Sequence, residues 1–220
     1  MPTVTEPQLL TIQGWTVRLR SAQAKPGRLL ILVHGWMGDE NSMWVLAQKL
    51  PTKYEILAPR APFSVAEGGY SWREVKPGTW GKSSLEDLRK AVEALLALVD
   101  DYSASAGMAD GRFDLMGFSQ GAAMAYALAL LHPERVRRLA ALSGFFPEGG
   151  DALLNPQKFA EKPIFVTHGR QDELIPIEDA RRSVQLWRKS GALVSYCESD
   201  TGHRVSKECL RELEMFLGAL

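Results

Sequence analysis

The chain has 220 residues, which suits one domain or two small ones and is ample for a sizeable core. Its 26 basic and 26 acidic residues leave no net charge, arguing against general affinity for nucleic acid or acidic membrane surfaces. Apolar content of 45% with 24% charged residues is ordinary for a soluble globular protein. No uninterrupted apolar run approaches the roughly 20 residues needed to span a bilayer, so no integral membrane segment is expected. The opening MPTVTEPQ lacks the basic start and apolar stretch of a secretory signal. Cys197 and Cys209 are too few for a disulfide framework and are expected to be free thiols. Together these features predict a cytoplasmic protein with residues 1–220 forming a single domain.

Leu9 to Gln13 and Trp15 to Arg20, joined at Gly14, alternate enough to be short strands. The continuous apolar run Leu29 to Val33 ends in His-Gly and suits a strand buried on both faces. YEILAP is a second, weaker strand. Ser83 with Glu86 forms a capping-box pattern before Leu85, Leu88, Val92, Leu95, Leu96 and Val99, whose spacing of three and four predicts an amphipathic helix. RFDLMG reads as a strand, and Gln120 to His132 as a helix closed by Pro133. VRRLAALSG and KPIFVTHG are further strands, and Ile177 to Lys189 is a helix ending before Gly191. ALVSYCE is a last strand, followed by an amphipathic helix over Arg204 to Leu217. Strands alternating with helices imply an α/β fold with a mostly parallel sheet and helices on both faces. In such sheets, sites form at the carboxyl ends of the strands.

Gly117-Phe118-Ser119-Gln120-Gly121 matches G-x-S-x-G at a point where an apolar strand turns directly into a helix. Such an elbow holds its serine in a strained conformation, and the flanking glycines remove collisions with the neighbouring strand and helix. Ser119 is therefore the candidate nucleophile. A serine hydroxyl needs a base held by a carboxylate. Of the four histidines, His34 is expected to shape a loop, His132 to cap or meet solvent, and His168 to pack at a strand end. His203 follows the last strand in a loop, where it can reach Ser119, and is the candidate base. Asp172, four residues past the strand end at His168, is the candidate acid. Asp200, Asp151 and Glu148 compete less well: Asp200 shares the short loop of His203, and the other two have less of a strand leading into them. The order Ser119, Asp172, His203 is that of an α/β-hydrolase. Oxyanion donors are expected from the backbone N–H of Gln120 and from the loop VHGWMGDEN, with Trp36 the first choice and Met37 the second.

These stretches together resemble the carboxylesterase/lysophospholipase family that includes acyl-protein thioesterases. VHGWMGD, PRAP with SWRE, GFSQGAAMA, ALSGFFP, PIFVTHGRQDELIP and TGH match in order from about Val33 to His203. The resemblance implies an α/β-hydrolase fold with the triad on Ser119, Asp172 and His203. It also implies Gln120 and the HG loop as the oxyanion hole. Relatives commonly read HG-x-GD, whereas this chain carries one more residue in HG-WM-GD. Trp36, Trp44, Phe63, Trp72, Trp80, Phe118, Phe145 and Phe146 fall near motif loops and hint at an apolar acyl site. Trp72, Phe118 and Phe145 are the expected substrate contacts. No long insertion between Ser119 and His203 leaves room for a large cap domain. The leading expectation is a serine hydrolase cleaving small-molecule esters, thioesters or lysophospholipids through an acyl-enzyme. It needs no metal or organic cofactor and no nucleic acid. A peptidase or acyltransferase on the same scaffold is the alternative, and a non-catalytic binding module a further one.

Overall fold

The computed structural model describes residues 7–23, 25, 27–75, 82–108 and 110–218. Trp80 and the first six residues of the MPTVTEPQ opening lie outside this set. Strands β1 (Gln8–Ile12) and β2 (Trp15–Arg20) form an antiparallel hairpin, as the alternation around Gly14 predicts. Then follow β3 (Arg28–Val33), the short helix α1 (Trp44–Ala47), β4 (Tyr54–Pro59) and a small hairpin of β5 (Phe63–Ser64) and β6 (Tyr70–Ser71). Helix α2 (Leu85–Ser105), β7 (Phe113–Phe118), α3 (Gln120–Leu131) and β8 (Val136–Leu142) form the centre. A 3-10 turn at Gly150–Leu153, α4 (Pro156–Phe159), β9 (Pro163–Gly169), α5 (Ile177–Lys189), β10 (Leu193–Ser199) and α6 (Lys207–Gly218) complete the order.

Eight strands make one sheet in the order β1-β2-β4-β3-β7-β8-β9-β10. The pairs from β4 through β10 are parallel, and β1 and β2 join antiparallel at one edge. The α/β expectation of a mostly parallel sheet is met. Alternation within the buried strands shows how both faces are covered. Leu29, Ile31 and Val33 of β3 pack with α2, α3 and α5, while Leu30 and Leu32 face the side that holds α1 and α6. Helix α3 is buried almost all round because Ala, Leu and Met occupy every side of it, which fixes the residue that precedes it.

Among the main elements, three details depart from the sequence reading. The capping box of α2 uses Ser84 and Asp87, one residue beyond Ser83 and Glu86. SSLED allows either register, and the chosen one buries Leu85. Helix α6 starts at Lys207, because Arg204 closes onto the Gly202 carbonyl within the loop of His203. The largest correction concerns the cysteines. Cys197 on β10 and Cys209 on α6 are joined in a disulfide, with Cα atoms 5.6 Å apart. Two cysteines in a sequence carry no pairing signal. The fold alone brings this strand and helix together, beside Phe165 and Leu213.

The disulfide closes a loop with a sequence separation of 12 that contains His203. By loop entropy it should stabilise the protein by about 2–4 kcal/mol. Urea unfolding of the Cys197→Ser/Cys209→Ser double variant is expected to show that loss. Unchanged stability would mean that the bond constrains nothing the fold does not already hold.

Candidate active site

Strand β7 delivers the chain to Ser119, whose backbone has φ 55° and ψ −119°, a conformation that costs energy for any residue with a Cβ. The neighbours make it possible. A Cβ on Gly117 would collide with the carbonyl of Gly121, and one on Gly121 with the carbonyls of Val33 and His34. The Ser119 N–H donates to the Leu142 carbonyl at 2.9 Å, which ties the elbow to the end of β8. Its own carbonyl accepts from Ala122 and Ala123 as α3 begins. Gln120 is the first residue of α3, so its N–H has no acceptor within the helix.

The candidate acid follows β9 and the candidate base β10, two and three strands across the sheet from β7, and they meet above the sheet edge. His203 Nδ1 donates to Asp172 Oδ2 at 2.7 Å. The other carboxylate oxygen accepts from the N–H groups of Leu174 and Ile175 at 2.9 and 3.0 Å. Burial works to raise the Asp172 pKa, but the bonds from Ile175, His203 and Leu174 outweigh it and hold the carboxyl below its ordinary value. An ionised acceptor at Nδ1 fixes the proton there and leaves Nε2 of a neutral ring as the basic nitrogen. The two loops are laced together: Arg170 N–H donates to the Ser199 carbonyl and Gln171 N–H to that of Thr201. Gly169 permits this approach, because a Cβ there would strike the carbonyls of Thr201 and Gly202. The Phe118 ring, next to Ser119 in sequence, lies 4.9 Å from the His203 ring, bringing base and elbow side by side.

The competing carboxylates lie elsewhere. Asp200 is 74% exposed and bonds Arg170 at 2.7 Å. Glu148 and Asp151 are exposed near the start of α2 and the 3-10 turn. His132 meets Glu93 at the surface, as expected of a helix-end histidine.

The HG loop is held from three sides. His34 is buried, its pKa lowered first by that burial. Ala61 N–H donates to its Nε2 at 3.0 Å, so Nδ1 carries the proton and donates to the Gly35 carbonyl at 2.7 Å. The extra residue of HG-WM-GD is absorbed in a tight turn: Gly38 N–H reaches the Gly35 carbonyl at 3.1 Å, and Met37 takes φ 59°. Beyond it, Glu40 pairs with Arg60 through two bonds of 2.7 and 2.9 Å, and Arg60 also reaches the Tyr70 hydroxyl. Tyr70 N–H donates to the Gly38 carbonyl, so the β5–β6 hairpin braces the same turn. Sequence reasoning missed this hairpin, whose strands of two residues carry no periodicity.

The expected substrate aromatics divide. Trp72 is fully buried and Phe145 nearly so, and neither presents a surface to a substrate in this structure. Trp72 is a brace instead. Its Nε1–H donates to the His34 carbonyl at 2.8 Å, and its backbone N–H to Gln120 Oε1 at 3.0 Å. The Gln120 side chain thus fastens the SWRE segment to the elbow, a role that SWRE and GFSQG do not reveal when read separately. Trp44 and Phe146 belong to the core, Phe63 and Trp36 are partly buried, and Phe118 stays half-buried beside His203. The Arg73 guanidinium lies over the Trp36 ring. Among the described residues, no three His, Cys, Asp or Glu side chains gather as metal ligands, and no helix is long and apolar enough to cross a membrane.

Residues 16–220 match the family model described as Phospholipase/Carboxylesterase. The chain belongs to this family. Among its relatives, an acyl-protein thioesterase 1 of Debaryomyces hansenii is 29% identical over 194 residues, 78% of this chain and 81% of that protein. A probable inactive carboxylesterase of Oryza sativa subsp. japonica is 28% identical over 185 residues, 78% of this chain and 75% of that one. The crystal structure of a carboxylesterase from Mesorhizobium loti superposes with a TM-score of 0.81 at 22% identity, over 97% of this chain and 99% of its own. The α/β-hydrolase fold expected from the motif order is thus the fold of this phospholipase/carboxylesterase family member.

The elbow can be tested without any substrate. Gly121→Ala forces a methyl group against backbone that cannot rotate away, at a cost of about 1–3 kcal/mol. For a chain of this size that is a fall in Tm of roughly 2–4 °C per kcal/mol. Wild-type stability in Gly121→Ala would show that the close contact of α3 with β3 is not required.

Proposed function

We propose that the protein hydrolyses carboxylic esters, thioesters included, through an acyl-enzyme on Ser119. The observation that carries this is the Asp172–His203 pair beside the elbow, with Asp200 diverted to Arg170. In this reading His203 Nε2 takes the proton of the Ser119 hydroxyl as the oxygen attacks the ester carbonyl. Asp172 holds the ring in the right tautomer and stabilises its cation. The oxyanion is met by the Gln120 N–H at the head of α3 and by the N–H of Trp36 or Met37 in the braced turn. His203 returns its proton to the leaving alkoxide or thiolate, and a water molecule activated by the same nitrogen then releases the acid. Every step uses groups of the chain and water alone.

Apolar surface near the site supports an uncharged acyl substrate of small or medium size. Met37 on the HG turn and Leu174 beside Asp172 are exposed, and Phe118 flanks His203. A cytoplasmic setting belongs to the same reading, and the Cys197–Cys209 disulfide is the observation that opposes it, since such bonds persist mainly in oxidising compartments. Thiol trapping in growing cells decides between them: free thiols fit the cytoplasm, and an oxidised pair does not.

Turnover of p-nitrophenyl esters from acetate to palmitate tests the chemistry. Ser119→Ala is expected to lose about 10⁴-fold or more in kcat, because triad members act as a unit. Asp172→Asn should fold normally and lose several orders of magnitude, since it would favour the wrong tautomer of His203. Asp200→Asn, which removes only an exposed ion pair, should stay within about twofold. Full activity in Ser119→Ala would overturn the mechanism and favour a binding module. The reverse pattern for the two aspartates would move the acid to Asp200.

A further inference from the structure

Asp172 accepts more than is needed to orient one histidine. Its Oδ1 takes two backbone N–H groups, and its Oδ2, already 2.7 Å from His203 Nδ1, also lies 3.3 Å from Nε2 of a second imidazole, His168. His168 stands next to last on β9, and its side chain has no exposed surface. The same Nε2 is 2.8 Å from the Ile175 carbonyl oxygen. One nitrogen therefore faces two acceptors, a carbonyl and a carboxylate. It must carry the proton, because a bare lone pair would be set against both. The other ring nitrogen, Nδ1, is buried with no hydrogen-bond partner, so the ring's polar contacts all run through Nε2–H.

A histidine kept only for packing would gain nothing from polar atoms at this depth, and leaving Nδ1 unbonded has a cost. What the ring does is link the end of β9 to the turn of residues 172–175 at two points. Leu174 and Ile175 N–H groups set Oδ1, while Nε2–H donates to the Ile175 carbonyl and lies 3.3 Å from Oδ2, an electrostatic contact rather than a second hydrogen bond. We infer that His168 is a positioning residue: its Nε2–H, bonded to the Ile175 carbonyl and lying against Asp172 Oδ2, holds the turn of residues 172–175 so that Oδ2 stays aligned with His203 Nδ1. This rests on the reading of Asp172 as the acid that orients His203.

The test uses the full chain with His168→Leu, His168→Gln, His168→Asn and Asp172→Asn. For each, kcat and KM on a p-nitrophenyl ester are measured, with the low-field proton NMR signal of His203 Nδ1–H and a thermal melt by circular dichroism. His168→Leu removes the donor and is expected to lose about 10–100-fold in kcat with KM little changed, the loss a misplaced catalytic group brings. Its low-field proton should shift or broaden as the Asp172–His203 bond loosens. His168→Gln, whose amide N–H reaches about as far as Nε2, should recover most of both signals, whereas the shorter Asn should not. The Gln–Asn pair decides the question if His168→Leu does not fold. Folded His168 variants with wild-type kcat and an unmoved proton, alongside an inactive Asp172→Asn, would overturn this inference alone. So would equal kcat for Gln and Asn with the proton unmoved. An active Asp172→Asn would overturn both this inference and the reading of Asp172 on which it rests.

Discussion

At φ 55° and ψ −119°, Ser119 occupies a region that side chains disfavour, and it is kept there by the absence of side chains on either side. Gly121 lets the first turn of α3 lie against the backbone of Val33 and His34, and Gly117 lets β7 pass close to the same turn. Backbone strain of this kind costs about 1–3 kcal/mol and persists only where the surroundings over-determine it. Here they do. Helix α3 is sealed into the core, β3, β7 and β8 are paired on both sides, and the Ser119 N–H is tied to Leu142. The other site elements are placed relative to that fixed point.

Each remaining part is secured by its own short-range links. The loops of Asp172 and His203 are bound by two backbone bonds and the close approach at Gly169, and the disulfide brackets His203 from β10 to α6. The HG turn is held by a neutral His34, by the half-buried Glu40–Arg60 pair and by the β5–β6 hairpin. Burial of Glu40 works to raise its pKa, yet the Arg60 hydrogen bond dominates and keeps it low. The brace therefore remains charged across the neutral range. Trp72 and Gln120 then join the turn side of the site to the elbow side. For the proposed mechanism, these links fix the polar groups before charge develops, which is the preorganisation electrostatic catalysis requires.

Much of this was legible in the sequence, for identifiable reasons. The apolar runs of β3, β7, β8 and β9 and the spacing in α2 and α5 are long periodic signals, and the structure follows them closely. G-x-S-x-G was readable because an elbow imposes residue types at fixed offsets. Asp172 was preferred to Asp200 because it follows its own strand, and the structure pairs it with His203. Contacts between distant segments were not legible. The Cys197–Cys209 bond, the Trp72–Gln120 link and the approach of His168 to Asp172 depend on which loops the fold brings together. Trp72 was misread for a related reason: an aromatic beside a motif loop looks the same in sequence whether it faces a substrate or supports the loop from beneath.

The central claim is that the strained serine is a reactive nucleophile. Labelling with a fluorophosphonate, followed by intact mass and peptide mapping, tests it most directly, because the probe needs an activated hydroxyl and a formed oxyanion hole but no particular acyl chain. One adduct per chain, on Ser119, is expected. An unlabelled protein, or an adduct on a different serine, would contradict it.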